Sequence, residues 1–311
     1  MIEGMFSYRH AFHAGNHADV LKHVMLVQLL RHLAAKDTPF WVIDTHAGAG
    51  LYSLEGEWAA KRGEFVDGIG RLWSRADAPV PVAQYLETVR AANPDGALRH
   101  YPGSPFIALA HLRADDRLRL FEMHPTESRV LAGNVAEAGR EAARRTRMQA
   151  GDGFDGLKAL LPPPPRRALV LIDPSYEDKR DYARAVATLR DALVRFATGC
   201  YAIWYPQVQR REPAEMVRRL TRMPGLRWLH ATLTVRAPSP DGLGLHGSGV
   251  FIVNPPWTLQ PALRDALPWL ADALAQDAAA GWSIDASGET SPQSPGKPGA
   301  ARPRRIQFRP R

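Results

Sequence analysis

The stretch Leu169-Val-Leu-Ile-Asp173-Pro174-Ser175-Tyr176 decides how the chain is read. Four apolar residues run straight into an acid, a proline, a small polar residue and an aromatic. A short apolar run closed by turn residues predicts a buried strand of a parallel sheet. Asp173, Pro174 and Tyr176 then fall at its C-terminal end, the edge where open α/β sheets bind ligands. A carboxylate, a stiff backbone and an aromatic side by side can grip a planar group that carries an exocyclic amine. The ring would stack on Tyr176, and the amine hydrogens would go to Asp173 and a backbone carbonyl. The alternative is a strand that simply ends in ordinary turn residues. The tetrapeptide alone does not choose between them.

Three upstream segments repeat the pattern. Phe40-Trp-Val-Ile43 runs into Asp44-Thr-His46-Ala-Gly48-Ala-Gly50, Arg117–Phe121 alternates and closes on Glu122, and Arg147–Ala150 leads into Gly151-Asp152-Gly153-Phe154. Helical segments separate these strands, which predicts a parallel, doubly wound sheet with its acids on one edge. The close glycines after Asp44 let backbone approach a ligand. A dinucleotide fingerprint would need a third glycine where Ser53 stands, and no phosphate-cradling lysine follows. Glu122 has the position that accepts ribose hydroxyls. Asp152, beside Gly153 and Phe154, suits an adenine amine, and Asp44 approaches the remaining part of the ligand. Without a cation after the glycines to meet a pyrophosphate, S-adenosylmethionine fits better than NAD. The competing explanation is acids that cap helices after strands.

The rest of the chain frames this core. Residues 1–18 form a loop of aromatic, basic and imidazole groups. A helix follows from Asp19 to Ala35, with Asn16 as its N-cap. A helical insertion occupies about residues 55–97. Tyr101-Pro-Gly103-Ser104-Pro105 reads as a turn, with Ser104 capping the next helix. One helix is expected from Pro125 through Arg145. Beyond Tyr176 the pattern gives a helix, a strand from Gly199 to Tyr205, another helix, and a hairpin of Leu226–Val235 with Gly249–Val253. A last helix, Ala262 to Leu274, should kink or restart at Pro268. Asn254-Pro-Pro-Trp257 imitates an amine-gripping motif. If its strand is the antiparallel arm of the hairpin, it lies on the edge opposite the ligand and is a structural turn.

The 311 residues carry a net charge of +8, and the pI is near 9.9. Residues 283–311 hold six Lys/Arg against two Asp/Glu, so half the charge sits in a Pro/Gly/Ser-rich tail expected to be disordered. Residues 1–282 are then one catalytic domain, and charge alone argues little for nucleic acid. One cysteine, Cys200, excludes an internal disulfide and a Cys-rich metal site. No apolar run reaches spanning length, so a soluble, cytoplasmic chain without a membrane partner is expected, acting as a monomer. His10, His13, His17 and His23 raise a metal reading, but no nearby acid completes a site, and no metal is expected.

Tyr8-Arg-His10-x-Phe12-His13-Ala-Gly-Asn-His17-Ala-Asp-Val-Leu-Lys22-His23, Asp44 through Gly50, Tyr101 through Pro105 and Gly199 through Pro206 resemble the large-subunit ribosomal RNA methyltransferase J family. The resemblance covers about residues 5–275. It implies a Rossmann-like class I methyltransferase, an α/β fold with a mostly parallel seven-stranded sheet. It also implies methylation of an adenine N6 in 23S ribosomal RNA, with S-adenosylmethionine as donor. By similarity His23, His46, Ser104, Glu122, Asp152, Gly153 and Asp173 contact the cofactor. Asp173 is also the catalytic acceptor, and Tyr8 touches the RNA. His10, Pro174 and Tyr176 are expected to join in holding the acceptor base. The family motif is Asp-Pro-Pro-Tyr, and here Ser175 replaces the second proline. Two other readings share the same grip: methylation of DNA adenine or of a protein glutamine amide, and a non-catalytic RNA-binding module.

Overall fold

The computed structural model describes residues 13–55, 63–242 and 244–288. Five parallel strands form the centre: β1 (Trp41–Asp44), β4 (Arg117–Glu122), β5 (Thr146–Ala150), β6 (Ala168–Ile172) and β7 (Cys200–Gln207). Three more extend them: β8 (Trp228–Thr234), β9 (Gly247–Val253) and β10 (Gly281–Ala286), giving the order β10-β8-β9-β7-β6-β1-β4-β5. β9 is antiparallel to both β7 and β8. β6 is buried at every position, as its unbroken apolar run requires of a central strand. Apolar layers cover both sides of the sheet, one built on the His17–Ala34 and Leu259–Ala273 helices, the other on the Arg180–Arg195 helix.

The sheet has eight strands, not seven. β10 pairs antiparallel with the outer edge of β8 through residues 281–286, so the first residues assigned to the tail from Ser283 are a strand. Its sequence is short and polar, and pairing with an existing edge orders it; the Thr232 and Ser283 hydroxyls are 2.7 Å apart across that pair. The remainder of the expected tail, from 289 on, lies outside the described residues.

Other differences are local. The helical insertion, with helices at Ile69–Leu72 and Val80–Ala91, springs from a two-stranded ribbon of β2 (Leu51–Ser53) and β3 (His100–Pro102). Three-residue strands leave no alternation to read. The 125–145 helix is two helices, Pro125–Glu137 and Arg140–Arg145, separated at Gly139, whose φ is +97°. The Leu259–Ala273 helix passes through Pro268 without restarting; Leu263, Leu267 and Leu270 seat both halves on the same core.

The Asn254 decoy is settled by topology. Val253 is paired with Tyr201 at the start of β7, so Asn254 stands at the edge opposite the ends of the parallel strands. Its φ is +52°, and its amide donates to the carbonyls of Ala197 (2.7 Å) and Gly199 (2.8 Å). Asn254 ties a turn together, and Trp257 points outward, 80 % exposed. Among the described residues, no helix is long and apolar enough to cross a membrane.

Candidate active site

The C-terminal ends of β1, β4, β5 and β6 open into one cavity of about 560 Å³. Its lining includes His23, His46, Ser104, Glu122, Asp152, Gly153, Asp173, Pro174 and Tyr176. The fold therefore brings together every expected site residue among those described. Tyr8 and His10 lie outside the described residues.

Asn16 begins the construction. Its side chain accepts from the backbone N–H groups of Ala18 and Asp19 and starts the His17–Ala34 helix. That helix start faces the strand edge and delivers Asp19, Lys22 and His23 to the cavity. Lys22 Nζ lies 2.6 Å from Asp173 Oδ2 and 2.7 Å from Asp19 Oδ1, with the Lys22 side chain only 6 % exposed. Burial works against its charge, but the Asp173 and Asp19 carboxylates outweigh that and hold its pKa above the ordinary lysine value. Nζ also stands 5.6 Å from the Trp204 ring centroid. One oxygen of Asp173 is thus fixed by a buried cation.

Asp44, at the end of β1, accepts from Ser104 Oγ at 2.6 Å and from the His46 backbone N–H at 3.1 Å. Burial pushes its carboxyl up to about 6, with the Ser104 and His46 hydrogen bonds opposing the shift. Ser104 is not the expected cap. Gly103 takes that position, and the hydroxyl serves Asp44 instead. Glu122 bridges two loops, accepting from the Gly48 N–H at 2.7 Å and the His124 N–H at 2.7 Å; burial raises its pKa. Gly48 has φ +59°, a conformation open to glycine at no steric cost.

The third station follows β5. Asp152 caps the short Gly153–Gly156 helix by accepting from the Phe154 N–H at 2.9 Å. The helix-capping explanation for the acids therefore holds for Asp152, in addition to its place on the cavity. Its other oxygen accepts from Arg184 Nη2 at 2.5 Å. Burial opposes ionisation, but the Arg184 guanidinium keeps the carboxyl below its ordinary range. Arg184 also lies over the Phe154 ring at 4.4 Å, and His46 meets the same ring edge-on at 4.7 Å. Burial lowers the His46 pKa to about 3, so the ring is neutral. Gly153 admits no side chain: a Cβ there would stand 2.0 Å from the Thr45 carbonyl oxygen.

Tyr176 differs from its expected posture. Its φ is +56° and it is 2 % exposed, with the hydroxyl donating to the Trp204 carbonyl at 2.7 Å and the ring 4.3 Å from that of Tyr182. The ring is built into the wall rather than standing free in the cavity, because the turn after Asp173 folds back onto β7. Ser175 is exposed between buried Pro174 and Tyr176. The N-terminal histidines separate. His13 pairs with Glu64 at 2.8 Å, His17 is buried with its pKa lowered to about 4 by that burial, and His23 contacts the Tyr101 hydroxyl at 2.7 Å.

Lys22, Asp19 and Arg184 are among the cavity residues to which the sequence alone assigned no role in the site. The signal for Lys22 was present: a lysine inside a helix with an apolar majority needs a buried carboxylate. Arg184 gave none, since it lies on the polar side of an ordinary amphipathic helix.

Numbered in chain order within the large sheet, the strands run 3-2-1-4-5-7-6-8 from the β5 edge, with the seventh and eighth reversed. That order, with a ligand cavity at the ends of strands 1 to 4, defines a class I methyltransferase fold with one added edge strand. The family model "Ribosomal RNA large subunit methyltransferase D, RlmJ" matches residues 37–286, and the chain belongs to that family. Ribosomal RNA large subunit methyltransferase J of Escherichia coli is 44 % identical over 270 residues, 87 % of this chain and 94 % of the relative. Its namesake from Haemophilus influenzae is 41 % identical over 282 residues, 90 % and 98 % of the two chains. The crystal structure of protein LPL1258 from Legionella pneumophila superposes with a TM-score of 0.81 at 32 % identity, covering 89 % of this chain and 99 % of that one.

Proposed function

We propose that the protein transfers a methyl group from S-adenosylmethionine to N6 of an adenine in 23S ribosomal RNA. The observation that carries this reading is Asp173 at the end of β6, held by buried Lys22 on the cavity that Glu122 and Asp152 also line. The residues present fit the cofactor. The φ > 0 glycines 48 and 50 and the close approach at Gly153 leave room for a ligand against backbone. Glu122 suits ribose hydroxyls, and Asp152 with Phe154, His46 and Arg184 suits an adenine. His23, Asp44 and Ser104 remain for the methionine end. When bound, S-adenosylmethionine supplies an electrophilic methyl.

An adenine amine is a poor nucleophile because its lone pair is delocalised into the ring. Hydrogen bonds from N6 to Asp173 and the Pro174 carbonyl localise that pair, and Asp173 accepts the proton as N6 attacks. Lys22 holds the carboxylate in place, and positioning the two reactants at contact distance lowers the barrier further. The base leaves its stack to enter the cavity, where Tyr176 forms part of the wall. Tyr8 and His10, outside the described residues, are assigned to the RNA. The catalytic unit is a single domain that takes in β10 and so extends past the expected boundary at 282 to residue 286, working as a monomer.

Two outcomes follow directly. Asp44, buried behind the cavity wall, acts on the cofactor through Ser104 and His46, which its ionised carboxylate orients, and its carboxyl is held near 6. Cofactor affinity measured by calorimetry should be flat above neutrality and fall about tenfold per pH unit below that value, while Asp44→Asn binds weakly at all pH. Ser175→Pro, which restores the family motif at an exposed position, should leave kcat unchanged or higher; a large loss would give the serine a role of its own. The substrate assignment is tested by offering labelled donor with unmodified 23S rRNA, adenine-containing DNA and protein. Label in DNA or protein, and none in the RNA, would overturn it.

A further inference from the structure

One part of the sheet is left without a helix. Strand register sets Trp41 beside Arg117, Ile43 beside Arg119, and Arg119 beside Arg147 on the edge strand β5. Side chains alternate along strands, so Trp41, Arg117, Arg119 and Arg147 share one face. The Pro125–Glu137 and Arg140–Arg145 helices cover the opposite face, where Leu131, Val135 and Ala142 join Leu118 and Leu120 in the core. On the arginine face the β5-to-β6 connection supplies only the four-residue Gly153–Gly156 helix and a short turn of 3-10 helix, Leu157–Leu160. That short helix packs over Phe121, whose ring would lie 2.2 Å from a Cβ at Gly156. The N-terminal half of β4 carries arginines instead.

These arginines differ from those that carry a carboxylate partner. Arg71, Arg99 and Arg195 each pair with a carboxylate. Among the described residues Arg117, Arg119 and Arg147 form no ion pair, and their hydrogen bonds go to backbone carbonyls of Ala114, Asp116, Leu118 and Thr146. The Arg119 guanidinium stacks 4.1 Å from the Trp41 ring centroid, which fixes its plane. Burial and the charges of Arg147 and Arg117 lower its pKa. Three cations gathered without an acid repel one another, and a polyanion relieves that repulsion.

We propose that this face, with Trp41 under Arg119 and with Arg117 and Arg147 beside it, is a second RNA contact that grips the sugar–phosphate backbone of the substrate outside the cavity. The proposal rests on the RNA-methyltransferase reading. Arg119 is three residues from Glu122 along β4, about 10 Å of strand, so one structured RNA can touch both places. Phosphate contacts of this kind position the substrate and carry no sequence information.

The test compares wild type with Arg117→Gln/Arg119→Gln/Arg147→Gln, the corresponding triple Lys variant, and a control in which Arg99, Arg195 and Arg218 become Gln. Filter binding of a 23S rRNA transcript and methylation kinetics are read across a salt series, with S-adenosylmethionine affinity as the check on folding. The Gln triple should raise KM and Kd for RNA about tenfold with kcat unchanged, and reduce the log–log salt slope by about 2, the value for three phosphates. The Lys triple should keep the slope, and the control should behave as wild type. If the Gln triple fails to fold, the exposed single variant Arg147→Gln should still reduce the slope by about 0.7. An unchanged slope overturns the proposal, as does an equal effect in the control. Loss of binding to anionic lipid vesicles with an unchanged RNA slope would assign the face to a membrane and also overturn it. Wild type that binds the transcript without methylating it would sink the functional reading alone, and the binding slopes would still decide the surface.

Discussion

Asp173→Ala is expected to reduce kcat on RNA by about 10³-fold while cofactor affinity changes little. In the proposed mechanism the carboxylate accepts from the reacting amine and receives its proton, so its loss would remove an interaction that strengthens only in the transition state. The proposed contacts to the donor lie mainly at the ends of β1, β4 and β5, which the substitution leaves intact. Asn254→Ala provides the contrast, because Asn254 has the better motif but stands on the far edge with both amide hydrogen bonds given to a turn. It should lose stability and keep kcat. Single-turnover methylation of both variants decides the matter; transfer that survives Asp173→Ala and vanishes with Asn254→Ala would reverse the assignment.

The second large effect is expected at Lys22. Lys22→Met keeps the length and packing of the side chain but strands two carboxylates, Asp19 at 2 % and Asp173 at 11 % side-chain exposure. Breaking a buried ion pair from one side typically costs about 3–5 kcal/mol, and that loss should appear in denaturant unfolding at neutral pH. Because the folded-state pKa of Lys22 lies above the ordinary lysine value, its contribution is complete throughout the neutral range. It fades as the pH rises above the ordinary lysine value and is lost once the pH passes the folded-state value. Catalysis should also fall, by about 10²-fold, since the Asp173 carboxylate is no longer held at one oxygen. Lys22→Met/Asp173→Asn should recover much of the stability and none of the activity. If stability is unchanged in Lys22→Met, the ion pair is not the element that sets this corner of the site.

The fold was legible where residue pattern and burial agree. β6 is apolar throughout and buried throughout, and an acid follows it, as acids close or follow β1, β4 and β5. Those acids mark the edge of the sheet on which the cavity opens, and their positions follow from the strand ends alone. The antiparallel β9 was legible from its hairpin with β8, which is what disposed of Asn254. β10 was not legible, because an edge strand of Gly, Ser and Asp acquires its order from the neighbour it pairs with. β2 and β3 escaped for the same reason. In the site, the acids were readable one by one, but their partners were not. Lys22 reaches Asp173 across 151 residues of sequence, and Arg184 meets Asp152 from a helix that begins after the next strand. The posture of Tyr176 depends on a left-handed backbone angle that no tyrosine announces in sequence.

The central claim is that the β6-end carboxylate, held by Lys22, directs methyl transfer to an adenine amine of ribosomal RNA. Its most direct test is nucleoside analysis of a 23S rRNA transcript after incubation with isotopically labelled S-adenosylmethionine and either wild type or Asp173→Ala. The account predicts labelled N6-methyladenosine with wild type and none above background with the variant. Label on another base or on a ribose hydroxyl, or equal N6-methyladenosine from both proteins, would contradict it.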